Sequence, residues 1–393
     1  MVELKMHNFN FFAEKPSSTY KKSDSHFLIL VILLWGIGIV TLYFCSMTYG
    51  LRFHQNPFHS TQRQLVSSFI GLLFMIFFAV IDIKKLRKIL PFIVLGSLFL
   101  CVLTFIPGIG VERNGARRWI RIPYFSTFQP SEAIKFSMVL YLANLFDKQR
   151  NSLEEERSDF PAVIGLVVFG GIVFAQQDFS TGIFIIGSGL LLFFVSGVKL
   201  KMFIPLAGLA IPFFALFILL EPYRVNRIVG FLAPDSYEQT LNWQVNGAKR
   251  AIIDGGLFGQ GIGTGLTKLG GVPEIQSDYI FAGWAEAMGL FGVAVYIAIL
   301  SAFAYRVIKI SLCCGNYFAS ISSFGFGMMI VLQSLVNIGV AGGVLPSTGI
   351  PLPFFSSGGS SIIFTLAMCG FILNASRIEE GNEFEIFDGE EIR

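Results

Sequence analysis

Long apolar runs separated by short polar segments fill the chain from residue 27 to residue 376. Ten runs stand out, at 27–46, 64–82, 89–106, 130–147, 161–176, 180–198, 202–220, 280–305, 318–340 and 358–376. Their lengths match the roughly 20 residues that an α-helix needs to cross a hydrocarbon core. Each is predicted to be a helix, because lipid offers the backbone no other hydrogen-bond partner. The fold class that follows is an all-α polytopic membrane protein with about ten transmembrane helices. Its organisation reads as an N-terminal tail at 1–26, a membrane domain at 27–377 and an acidic tail at 378–393. The segment at 221–279, between helices seven and eight, is too long for a simple connector and is expected to be functional.

Composition sharpens this picture. Charged residues are 14% of the 393 positions, against roughly a quarter in an ordinary soluble domain. The first apolar run follows a polar leader and is too long for the core of a cleavable signal, so it is read as a retained anchor. With the N-terminus placed in the cytoplasm, the inside segments carry 11 Lys and 6 Arg, and the outside segments 9 Arg and 2 Lys. The inside excess satisfies the positive-inside rule and puts both termini in the cytoplasm. Topology does not explain why the outer cations are arginine. A planar, permanently charged fork suits phosphate oxygens, although lipid headgroups or nearby acids would also pair with it. Nothing in this pattern points to nucleic acid.

Several familiar readings drop out. The five cysteines have no metal-like spacing and read as small buried hydrophobes. "GGLFGQGIGTG", at 255–265, contains glycines in a phosphate-loop rhythm but follows no strand of a βαβ unit. Its glycines are expected to let a loop lie back against the membrane domain.

The candidate chemistry lies in the charges at the edges of the apolar runs. "GVPEIQSDYIFAGWAEAMGLFG", at 271–292, holds Glu274, Asp278 and Glu286 at the mouth of the eighth helix. Acids at such a boundary are expensive and usually functional. Asp278 is placed to accept a proton, or alternatively to cap the helix. Glu286 follows two turns later on a similar face. Glu132 and Lys135, three residues apart on the fourth helix, form either a structural ion pair or a substrate contact. Asp178, with Ser180 and Thr181, reads more simply as a helix cap. "LPSTGIPLPFFSSGGSS", at 345–361, is expected to be an ordered re-entrant or surface loop.

The motifs "NGARRWI", "FQPSEAIKF", "GGLFGQGIGTG", "PEIQSDYIFA", "AEAMGLFG" and "NIGVAGGVLPSTGIPLPFFSSGGSS" occur in one order and resemble the SEDS family (shape, elongation, division and sporulation). The resemblance covers about residues 27–377. It implies a ten-helix inner-membrane fold. It also implies a peptidoglycan glycosyltransferase that polymerises lipid II on the outer face of the cytoplasmic membrane. The implied partners are lipid II and the growing glycan, a class B penicillin-binding protein, divisome or elongasome proteins and membrane lipid. The family's essential acid falls on Asp278 and its preceding glutamate on Glu274. Its Arg-Trp pair falls on Arg118 and Trp119, and its Gln-Pro-Ser-Glu-x-x-Lys on Gln129, Pro130, Ser131, Glu132 and Lys135. Its Arg-Gln falls on Arg63 and Gln64. Gln276, Ser277 and Tyr279 depart from the family's usual His-Thr-Asp-Phe and remove one possible helper. "NPFHSTQRQ" and "EPYRVNRIVGFL" resemble the division branch more than the elongation branch.

In that reading Asp278 takes a proton from the attacking sugar hydroxyl, Glu274 helps position and Glu286 supports from below. Positive charge on the leaving diphosphate comes from Arg117, Arg118, Arg63 or a divalent cation, magnesium or manganese. Inversion at the anomeric carbon makes a single displacement the simplest course. A lipid-precursor flippase and a scaffold for the transpeptidase are the alternatives. The flippase reading draws on the intramembrane Glu132, Lys135 and Asp178.

Overall fold

A computed structural model describes residues 22–113, 116–122, 127–150, 159–198, 208, 212, 217–219, 221–233, 243–262, 264–265 and 275–378. The membrane-spanning runs are helical: α1 (Ser25–His54), α2 (His59–Val80), α3 (Ile83–Leu103), α4 (Pro130–Arg150), α5 (Phe160–Ala175) and α6 (Phe179–Val195). After two short helices, α7 (Pro222–Leu232) and α8 (Trp243–Asp254), come α9 (Ile280–Leu312), α10 (Tyr317–Ala341) and α11 (Gly359–Ala375). Nine of the ten predicted spans therefore correspond to helices, and most of the run at 202–220 lies outside the described residues. α1, α2, α3, α9 and α10 are each long and apolar enough to cross a membrane.

One element departs from the all-α expectation. Between α3 and α4 the chain forms a small antiparallel sheet of β1 (Gly110–Arg113), β2 (Ala116–Arg121) and β3 (Thr127–Phe128), in that order. The Asn114-Gly115 step between β1 and β2 is a strong short-range hairpin signal. It is local and easily masked by the hydropathy of the flanking spans.

α4 is the central helix. It packs against α3, α5, α6, α10 and α11, and every residue from Pro130 to Leu140 is buried. A helix surrounded by protein on all sides has no lipid-facing stripe to fill, so polar residues survive there if they find partners. α2 and α11 pack closely enough that a Cβ added at Gly370 would lie 2.2 Å from the Met75 carbonyl oxygen. Small residues permit such approaches where helices meet in lipid.

The segment between α10 and α11 is the predicted re-entrant loop. Leu352, Phe354 and Phe355 are buried in it. It descends to the middle of α1, where a Cβ at Gly38 would meet the Phe354 carbonyl oxygen at 2.3 Å. On the opposite face the start of α1 meets the end of α11. The Asp24 N–H donates to Ser376 Oγ at 3.0 Å, and Arg306 reaches the Asp24 carboxylate at 3.5 Å.

Candidate functional site

Irregular backbone inside a membrane bundle must find its hydrogen bonds within the protein. Three side-chain amides from two helices provide them. Gln64 of α2 donates to the Ser356 carbonyl at 3.1 Å and accepts from the Gly358 N–H at 3.2 Å. Gln333 of α10 donates to the Pro351 carbonyl at 2.8 Å. Asn337, one turn further along α10, donates to the carbonyls of Ile350 and Asp278, each at 2.9 Å. Ser356 Oγ donates to the Ser277 carbonyl. The re-entrant loop and the turn before α9 are thus tied to each other and to α10.

Asp278 lies in that turn. The N-cap position of α9 is Tyr279, with no side-chain cap. Asp278 therefore stands one residue outside the helix. Its carboxylate lies beside Gly349 of the re-entrant loop, where Oδ2 is 3.6 Å from a Cβ built on that glycine. Asp278 is only partly buried.

From Gln333 the network continues into α4. Lys135 Nζ donates to Gln333 Oε1 at 2.9 Å and pairs with Glu132 at 2.8 Å, and both side chains of the pair are buried. The Glu132 N–H bonds the Gln129 carbonyl at 3.2 Å, and Gln129 Nε2 donates to Asp178 Oδ2 at 3.2 Å. Asp178 then meets Arg118 at 3.6 Å, and Arg118 also donates to the Gln177 carbonyl at 2.6 Å. The bulge in β2 accounts for this placement. Glu112 faces Arg117 and Val111 faces Trp119, so Arg118 is the extra residue and turns away from the ladder.

Asp178 corrects the expectation of a capping role. It occupies the N-cap position of α6, but its side chain makes no cap hydrogen bond. The carboxylate serves Arg118 and Gln129 instead. Next to it, Phe179 stacks beneath Arg224 of α7, whose guanidinium lies 4.1 Å over the Phe217 ring and 5.6 Å over Phe179. Burial holds Arg224 below the usual arginine range. Glu221 opposes that shift, and the positive charge of Arg118 adds to it. Two arginines therefore share one electrostatic neighbourhood at the Asp178–Phe179 step.

Of the residues singled out by sequence, Arg118, Gln129, Glu132, Lys135 and Asp278 fall along this one network. Arg117 lies on the hairpin, paired with Glu112 at 3.1 Å across the strands. Trp119 is half-buried on β2, and Arg63 is exposed on the first turn of α2. Glu286 is fully buried beneath the glycine-rich segment, with a Cβ at Gly265 meeting its carboxylate carbon at 2.5 Å. Glu274 lies outside the described residues.

Gln333 and Asn337 went unread in the sequence. Their signal is two amides four residues apart in the otherwise apolar "VLQSLVNIG". Arg227, which donates to the Ser347 carbonyl at 2.9 Å, and Lys249, which lies against Gly343, bring two further cations to the re-entrant loop beside Asp278. Among the described residues no three His, Cys, Asp or Glu side chains cluster as a metal cage.

This geometry defines a class: a multi-pass helical membrane protein with a buried polar network that opens toward a mixed-charge face. The cell cycle protein family FtsW/RodA/SpoVE matches residues 25–381, and the chain belongs to this SEDS family. It is 34% identical over 362 residues to stage V sporulation protein E of Bacillus subtilis (strain 168), covering 91% of this chain and 99% of that one. It is 32% identical over 354 residues to a probable peptidoglycan glycosyltransferase FtsW of Geobacter sp. (strain M18), covering 90% and 96%. Among solved structures, a chain described under structural coordination of polymerization and crosslinking by a peptidoglycan synthase complex superimposes with a TM-score of 0.72 at 26% identity, covering 90% and 97%. The rod shape determining protein RodA of Thermus thermophilus shares the fold, with a TM-score of 0.66 at 24% identity and coverage of 90% and 96%.

Proposed function

We propose that this protein is a peptidoglycan glycosyltransferase that polymerises lipid II on the outer face of the cytoplasmic membrane. The observation that carries the reading is the run of polar contacts from Arg118 through Asp178, Gln129, Glu132, Lys135 and Gln333 to the re-entrant loop, which Asn337 ties in turn to the backbone carbonyl of Asp278. It joins cations suited to a diphosphate with a carboxylate suited to a proton. In the step we infer, the acceptor hydroxyl loses its proton to Asp278 and its oxygen bonds the anomeric carbon. The carbon–oxygen bond to the diphosphate breaks with its electron pair. The charge that develops on the diphosphate falls where Arg118 and Arg224 stand, in a site of low dielectric. The Glu132–Lys135 pair holds α4 against α10 and so fixes the loop beside Asp278. The relatives named as probable peptidoglycan glycosyltransferases support the reaction class.

Lipid II polymerisation by purified protein with its cognate transpeptidase tests this. Asp278→Asn keeps size and polarity but cannot accept a proton at neutral pH. Loss of a general base lowers rate by about 10²–10⁴-fold, so glycan chains are expected to vanish while folding and partner binding persist. A normal rate for the variant would refute the general-base role. Inactivity of the wild type beside a competent partner would favour precursor translocation or scaffolding.

We further place the chain in the division branch, with a class B penicillin-binding protein as its partner. "NPFHSTQRQ" and "EPYRVNRIVGFL", which resemble the division branch more than the elongation branch, support that placement. Depletion is then expected to give undivided filaments; rounded cells would indicate elongation, and a defect confined to spores would indicate sporulation.

A further inference from the structure

α9 is broken. Gly289 has φ 64° and ψ −165°, and the backbone groups around it lose their helical partners. A single short stretch replaces them. The N–H groups of Leu290 and Phe291 donate to the carbonyls of Gly256 and Leu257, at 2.9 and 3.1 Å. The N–H groups of Gln260 and Gly261 donate to the carbonyls of Glu286 and Ala287, also at 2.9 and 3.1 Å. The stretch therefore lies level with the break, several residues inside a helix that spans the membrane.

Its side chains face away from the protein. Ile253 is 75% exposed, Leu257 65%, Phe258 83% and Ile262 59%, and they adjoin Leu290 and Phe291 of α9 at 59% and 64%. From 255 to 265 the sequence has no Asp, Glu, Lys or Arg. Contiguous apolar surface of this kind is rare against water. Here it continues the lipid-facing side of a transmembrane helix, and four of the backbone groups freed at the break, the Leu290 and Phe291 N–H and the Glu286 and Ala287 carbonyls, have partners in the stretch, as hydrocarbon demands.

We propose that Gly255–Ile262 is a re-entrant membrane element whose Leu257 and Phe258 contact bilayer acyl chains in the leaflet where α9 begins. It would then form a lateral wall between that lipid and the buried Glu286, which lies beneath Gly265.

Photolabelling of the unmodified protein in phosphatidylcholine/phosphatidylglycerol vesicles, with a diazirine on the acyl chain, tests the contact. Trypsin releases residues 251–268 as one peptide, bounded by Arg250 and Lys268. That peptide is expected to carry label. Its absence while other lipid-facing peptides are labelled would overturn the proposal. A nitroxide at Phe258→Cys in a cysteine-free chain gives a second readout. Its oxygen-to-nickel-chelate accessibility ratio is expected to match that at Phe291→Cys and to exceed that at Gln55→Cys on the exposed end of α1. A ratio like that of position 55 would overturn the proposal, as would shielding from both reagents by a second copy or a partner protein.

Discussion

Lys135 and Glu132 show what a single residue can do in this bundle. Each is buried and each is the other's counter-ion. Removing one partner of a buried pair leaves an uncompensated charge, at a cost of about 3–5 kcal/mol. Lys135→Met is therefore expected to lower thermal stability by that order, as read by unfolding in detergent. Replacing both residues with apolar ones of similar volume is expected to restore most of the stability, since such swaps are often neutral. If polymerisation stays absent in the restored double variant, the pair acts in function as well as in packing. Full activity there would confine it to a structural role. Residue type and spacing marked this pair in the sequence, because charges inside an apolar run are conspicuous. Asp178 was misread because a helix start and an arginine anchor look alike until Arg118 comes to meet it.

At the scale of elements, two interruptions set the site. The re-entrant loop between α10 and α11 is fixed by Gln64, Gln333 and Asn337, and the break in α9 is fixed by the glycine-rich stretch at 256–261. Gly289 occupies a backbone region that is essentially closed to other residues, and a Cβ there would meet the Gly259 nitrogen at 2.3 Å. Gly289→Ala is expected to cost at least about 1–3 kcal/mol in backbone strain, visible as a lower unfolding temperature. Unchanged stability would mean that α9 can run straight past the break. Hydropathy could not show this break, since Gly289 sits in an apolar run that reads as one continuous span.

For the whole molecule, the start of α1 and the end of α11 share a face with Arg306. That shared face fits an even number of crossings, and the lysine-rich segments propose that it is cytoplasmic. A C-terminal green fluorescent protein fusion is expected to be bright and an alkaline phosphatase fusion inactive. The reverse result would invert the topology and move Asp278 to the wrong side for an outer-face polymerase. This prediction stands apart from the reaction chemistry, so the two can fail separately.

The sequence by itself determined the class of the molecule. Lipid excludes unpaired backbone, so the ten apolar runs had to be helices, and the charges inside them had to have partners or a task. Its motifs also pointed to Asp278, Glu132 and Lys135. Only tertiary structure decided which groups act together. Arg117 and Arg118 are neighbours in sequence, yet a β-bulge sends one to Glu112 and the other to Asp178. Asp278 and Asn337 are far apart in sequence, yet the amide of one holds the backbone of the other. Such pairings depend on how helices cross and where loops descend. Those are set by packing between distant segments, and no local pattern records them.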